Sequence, residues 1–260
     1  VESRSVLIAV TAAALLCAPA QAQRRREPPR EWDVTLGAAV ASRPSFEGSD
    51  RSIVRPLPFV TVRWRDTISL GEGGLSVTAH RKNFRFGGGL TVDPGRKDHA
   101  SGGIFESGDD RLKGLGTIRA SPGFRAFAST RLSLFNFEVS AVKFLNHGVT
   151  ANLGLSAPLP LGKKLILMPH VRATWADGQY MQTYFGVTPA QAGASIFPRF
   201  NAGSGFKDVR AGANLIWRIN NHWFAGTDVG VTRLLGDAAL SPISLRDTNV
   251  TAMAMAGYRF

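Results

Sequence analysis

Histidine is the side chain best suited to moving protons near neutral pH, and this chain has five: His80, His99, His147, His170 and His222. They are scattered. None shows the short helical spacing of a metal site, and no G-x-S-x-G stretch supplies an activated serine. Only His170 falls well inside an alternating segment on its polar face, where a structural role outweighs a catalytic one. Two adjacent acids, Asp109 and Asp110, make a weak divalent-ion site and are ordinarily solvated. Gly87-Gly88-Gly89 lies in an alternating run, so it reads as a strand that bends or packs closely rather than as a phosphate loop. No catalytic residue, cofactor or metal ligand is expected.

Arginine carries the more distinctive chemistry. Arg85, Arg119, Arg125, Arg172, Arg210, Arg218 and Arg259 share the polar parity of alternating segments, and only Asp33, Glu138 and Asp228 oppose them there. If that face encloses a lumen, two arrangements are open. The guanidiniums form an anion-favouring ring, or they bond to the few acids, backbone and water and fill a small barrel. The second carries more weight. The net charge of +12 and pI near 10.8 invite a nucleic-acid reading, which the export signal below opposes, so no nucleic-acid partner is expected.

Strands must position these side chains. Trp32, Val34, Leu36, Ala38 and Val40 alternate with Asp33, Thr35, Gly37 and Ala39, and Phe84, Phe86, Leu90 and Val92 with Arg85, Gly87, Gly89 and Thr91. The same pattern recurs over 149–157, 165–175, 209–218 and 223–231, with turn residues such as Asn220-Asn221 between runs. About eleven strands emerge, and the stretch 53–79 holds one more. An even number is normal for single-chain outer-membrane barrels, which points to twelve, with ten as the alternative. Trp32, Trp64, Trp175, Trp223 and Tyr258 near strand ends fit an aromatic girdle. The predicted class is an all-β antiparallel transmembrane barrel with its apolar face towards lipid.

The two ends agree with that class. Val250, Ala252, Ala254, Ala256, Tyr258 and Phe260 occupy alternate positions of a last strand, which is expected to pair with the first near Trp32; Tyr258 and Phe260 are the expected recognition point for the barrel assembly machinery. Residues 1–22 carry Arg4, an uncharged run and Ala20-Gln21-Ala22, the pattern of a secretory signal cleaved after Ala22. Leu16 is bulky for lipoprotein processing at Cys17. Residues 23–30 then form a basic flexible leader with Arg24, Arg25, Arg26 and Arg30, and 31–260 the barrel domain of the Gram-negative outer membrane.

Several ordered motifs accompany the alternation. Phe46-Glu47-Gly48-Ser49-Asp50 precedes Pro56-Leu57-Pro58. Leu115 follows, then Tyr180 to Val187 with Tyr184, Phe185 and Gly186, then Thr188-Pro189-Ala190-Gln191 and Gly205-Phe206-Lys207-Asp208. Leu234, Gly236 and Asp237 lie in the stretch 233–239, before Ser241-Pro242. This ordered set resembles the MipA/OmpV outer-membrane family over essentially all of the mature chain, with Phe46 where Tyr is common. The resemblance implies an outer-membrane barrel acting as a non-enzymatic scaffold in cell-wall remodelling. Its partners would be outer-membrane lipid, the assembly machinery, a lytic transglycosylase (the murein hydrolase MltA) and a peptidoglycan synthase. A small anion-favouring channel is the alternative, and a lipid-modifying enzyme using His170 is a second one.

The motifs also have their own physics. Gly48 supplies a positive φ and Asp50 a turn cap for the loop after the first strand. Pro56 and Pro58 remove two donors on alternate residues, which marks a strand start or an irregular edge. In 176–207, the longest stretch without clean alternation, Thr188 and Pro189 resemble the cap and first position of a short helix. That loop is expected to fold into or over the barrel mouth.

Overall fold

Side chains at period two can bury one face only, and in lipid the buried face may be the polar one provided that the sheet closes on itself. The computed structural model describes residues 31–260 apart from Glu72, Ser101, Gly102 and Ile104, and it is such a closed sheet. The predicted signal and leader lie outside the described residues. The first half of the wall comprises β1 (Trp32–Pro44), β2 (Ser52–Trp64), β3 (Ile68–Gly71), β4 (Gly74–Arg81), β5 (Phe84–Asp93) and β6 (Ser121–Leu132). The second comprises β7 (Phe135–Phe144), β8 (Gly148–Ser156), β9 (Leu159–Pro160), β10 (Leu165–Ala176), β11 (Gly205–Arg218), β12 (Trp223–Leu234) and β13 (Thr248–Arg259).

All neighbours pair antiparallel, and the ring closes where β13 meets β1, from Thr35↔Arg259 to Ser42↔Ala252. The Phe260 amide donates to the Val34 carbonyl at 2.9 Å, which extends the seam to the last residue. Twelve strands form the ring. The two-residue β9 pairs with β10 beyond the end of β8, so it prolongs the β8 position after a break at Ala157-Pro158. Closure requires strands tilted by roughly 40°.

The predicted faces are the observed ones. Trp32, Leu36, Val40, Phe84, Phe86, Leu90, Val229, Val231 and Val250 are exposed outward as an apolar belt. No helix among the described residues is long and apolar enough to cross a membrane. Trp32 packs on Trp64 and Trp223 on Tyr258, all four at the end that also carries the short turns. Inside, Phe59 lies over Gly37, and Phe224 over Gly257, where an added Cβ would come within 2.6 Å of the Phe224 ring. Glycine at those two lumenal positions makes room for two rings whose centroids are 6.5 Å apart.

The stretch 53–79 departs from expectation. Expected to hold one strand, it contains most of β2, all of β3 and part of β4. The four-residue β3 is too short to stand out as a separate strand, and the β3–β4 hairpin leaves the wall incomplete. Only 62–64 of β2 pair with β3, so Ser52–Thr61 are paired with β1 alone; on the far side, Thr91–Asp93 pair with β6 alone. Pro56 and Pro58 fall within the unpaired stretch, opposite Val40 and Ala38. Two residues apart, they take the same side of the ladder, and the open side is the one that needs no donor.

A charge introduced at the centre of the apolar belt tests which face meets lipid. Val229→Arg is expected to lower stability by about 2–4 kcal/mol, read as the urea midpoint of the barrel in bilayers.

Candidate functional site: the loop cap and the arginine-lined lumen

Apolar side chains spent on the outer face are unavailable to the lumen, so the core of this protein is found at the end opposite the short turns. Four loops meet there: 45–51, 94–120, 177–204 and 235–247. The third carries α1 (Gly178–Phe185) and α2 (Pro189–Ala194), and the fourth α3 (Gly236–Leu240). Asp177 caps α1 through the Tyr180 amide. Thr188 and Gln191 close a full capping box on α2, with Pro189 at its start. The helical segment expected after Thr188 is therefore present, and the long loop lies over the barrel mouth.

Two apolar clusters bind the loops together. Phe144, Ala176, Tyr180, Met181, Tyr184, Phe185, Leu234 and Ala238 belong to one; Phe46, Leu112, Leu115, Val187, Phe197 and Ile243 form the other. Burying each large side chain contributes about 1.5–3 kcal/mol, enough to hold loops that have no sheet partner.

The motif residues assemble this cap. Phe46 and Phe185 are fully buried. Glu47 reaches across to Lys207, whose ammonium also meets Asp208 at 3.0 Å. Gly48 has φ +88, and its carbonyl accepts from the amides of Leu245 and Arg246, which ties the first loop to the fourth. Ser49 and Asp109 share Ser45, while Arg111 bonds Asp109 at 3.0 Å and Asp50 at 2.6 Å. The Ser241 hydroxyl donates to the Phe185 carbonyl at 2.6 Å, and Asp237 accepts from the Gly203 amide. Gly186 lies against Gln182 and so admits no Cβ, Gly236 begins α3 with φ +49, and Pro242 follows in the same loop. Pro56 and Pro58 stand apart, on the open edge of β2.

A buried trio escaped the sequence reading. Asp93 at the top of β5 accepts from the Tyr184 hydroxyl at 2.8 Å and lies 3.1 Å from His147 Nδ1. Burial and the neighbouring Asp93 carboxylate push the Tyr184 phenol well above its ordinary value. Arg96 donates to the Tyr184 carbonyl, and burial pulls its guanidinium down to about 10. His147 lies more than 30 residues in sequence from any motif, so no local signal marks it.

Below the cap is a cavity of about 1090 Å³. Arg85, Arg125, Arg172 and Arg210 line it, with Arg43 and Arg131 in addition. Glu138 pairs with Arg125 at 3.0 Å, Asp228 with Arg210, and Asp33 with Arg259 at the short-turn rim. Arg218 lies at that rim too, exposed and outside the cavity. Arg119 sits in the loop before β6 rather than in the wall, because the chain leaves the sheet at Ser121 while its parity continues; it is exposed and does not line the cavity. His170 contacts Asn214 at 3.3 Å and Asp228 at 3.8 Å, so both ring nitrogens face polar neighbours. Among the described residues no group of three metal-ligating side chains forms.

The hydrogen bond from Arg111, ahead of every other cause, holds the Asp109 carboxyl down at about 2 from its usual 3.8. The folded cap thus binds this proton more weakly than the unfolded chain. The resulting stability is complete above about pH 4 and is lost as the pH falls towards 2. Pepsin cleavage of the cap loops should rise across that window, and Asp109→Asn should flatten the rise.

A comparison with known proteins places this arrangement. Among solved structures, outer-membrane expressed OmpT of Vibrio cholerae is similar over 88% of this chain and 97% of its own, at 7% identity and a TM-score of 0.39. The outer membrane channel DcaP of Acinetobacter baumannii covers 88% and 96% at 8% identity, with a TM-score of 0.37. A KdgM porin in complex with disordered oligogalacturonate covers 87% and 98% at 7% identity, also with 0.37. No curated protein matches. The family model described as MltA-interacting protein MipA matches residues 36–260, from the first strand through the cap motifs to the seam. The chain therefore belongs to the MipA family.

Proposed function

We propose that this barrel is a non-enzymatic scaffold of the outer membrane that holds a lytic transglycosylase near a peptidoglycan synthase during cell-wall remodelling. The observation that carries the reading is the cap. Two apolar clusters with fully buried Phe46, Leu112, Met181, Phe185 and Ile243 pack the loops together at one mouth of the barrel. Barrels of this kind place short turns in the periplasm and long loops outside, so the capped end faces outward and the short-turn rim faces the cell wall.

That rim supports a docking role. Arg63, Arg65, Arg81, Lys82, Arg131, Lys163, Lys164 and Arg218 are all exposed there, against Glu31, Asp33 and Asp66. Such an excess attracts an acidic partner and steers its approach. The family description names an interaction with MltA, which supports a murein hydrolase as that partner.

A second reading, a small anion-favouring channel, draws on the arginines that line the cavity. Lipid modification finds less support, because His170 is engaged by Asn214 and Asp228 rather than by a serine hydroxyl. Export with cleavage after Ala22 and recognition of Tyr258 and Phe260 by the assembly machinery complete the proposal.

Co-purification from envelopes in mild detergent tests the scaffold. A lytic transglycosylase should be retained by the wild-type chain and weakened about tenfold by Lys163→Glu with Lys164→Glu; repeated loss from an intact wild-type barrel overturns the role. In planar bilayers no single-channel steps are expected, and anion-selective steps would favour the channel. Deleting Phe260 should lower membrane yield more than the stability of the barrel that does insert.

A further inference from the structure

The incomplete wall between β2 and β5 has a floor, two sides and a top. The floor is the β3–β4 turn at Gly71, Gly73 and Gly74; the sides are Ser52–Thr61 of β2 and Thr91–Asp93 of β5. Above it, residues 106–108 lie against the top of β1, where Gly108 and Ser107 donate to the Ser45 carbonyl and Arg43 donates to the Glu106 carbonyl. The outer surface around the opening is apolar, with Val54, Val60, Leu90, Val92 and Phe124 all exposed. It therefore lies at the depth of the lipid chains.

The same opening borders the arginine-lined cavity. Gly73 and Thr91 belong both to the frame of the opening and to the cavity lining. Arg125 extends to the floor: its Nη1 lies 3.2 Å from the point where a Cβ on Gly73 would be. Among the described residues the cavity carboxylates are Glu138 and Asp228, already engaged by Arg125 and Arg210. Arg85 and Arg172 line the cavity with no carboxylate partner among the described residues. Guanidiniums so placed seek a phosphate or carboxylate, which they bind in a forked geometry.

An added strand from another protein fits the opening poorly. A strand docking on β2 would need donors along its edge, and Pro56 and Pro58 supply none. An alkyl chain makes no such demand.

We propose that the opening is a lateral entry from the bilayer, and that the cavity binds a single-chain phosphate amphiphile with its headgroup on Arg85, Arg125 and Arg172 and its tail passing over Gly73 into the lipid. The size of the cavity, about 1090 Å³, accommodates such a headgroup and several methylenes.

Native mass spectrometry of the full barrel in a neutral maltoside detergent tests this, with dodecyl phosphate as the probe and inorganic phosphate in a parallel titration. One saturable dodecyl phosphate adduct is expected, weakened at least about tenfold by Arg125→Ala with Arg172→Ala. Gly73→Trp, which fills the floor beside Arg125, should weaken the amphiphile to a similar degree and by a clearly larger factor than it weakens inorganic phosphate. Thr91→Trp repeats the block from the opposite side should the first variant fail to fold, and heat-modified gel migration verifies barrel closure in each. Dodecyl phosphate binding that survives either block in a closed barrel overturns the lateral entry. Binding indifferent to the arginine changes, or no tighter than that of inorganic phosphate, overturns the amphiphile site.

Discussion

Lipid offers no hydrogen-bond partner to a peptide group, and the rest of this structure depends on that constraint. It forces β13 onto β1 and carries the pairing as far as the Phe260 amide and the Val34 carbonyl. It also explains the prolines. Where the wall lacks a strand beside β2, an ordinary backbone would present a row of unpaired donors to the bilayer, and Pro56 and Pro58 present fewer.

Closure has a second consequence for where the stabilising apolar contacts can lie. With most large apolar side chains on the outer belt, the lumen is lined largely by arginine, acid, asparagine and small residues, with a few rings such as Phe59 and Phe224 among them. The packed core therefore moves to the loops, where Phe46, Leu112, Met181, Phe185 and Ile243 are buried as completely as in a globular domain. Around them, polar contacts link segments far apart in the chain: the ion pairs of Glu47 with Lys207 and of Asp50 with Arg111, and the hydrogen bond from Arg96 to the Tyr184 carbonyl. The motifs that mark the family are mostly the residues that hold these loops together. The cavity below and the opening beside it are built from positions outside those motifs, save the two prolines.

The parity of Arg125, Glu138, Arg210 and Asp228 was legible, since each sits in the middle of a long alternating run. Arg119 shares that parity but not that place: nothing local announces that the wall begins at Ser121. The short β3 was illegible as a separate strand for a similar reason, since four residues carry too little alternation to mark its boundaries. The trio of Asp93, His147 and Tyr184 joins positions separated by up to 91 residues, and no spacing rule reaches that far.

The sequence alone set which residues of each strand share a face, because period two is a property of neighbouring residues and survives whatever the rest of the chain does. It also determined the helix start at Thr188 and the turn at Gly48, for the same local reason. Only the tertiary structure decided that four loops would share one core, that the lumenal acids would each find an arginine, and that the wall would stop short between β2 and β5. Those outcomes depend on where segments meet after the ring closes, and closure is a condition on all twelve strands at once.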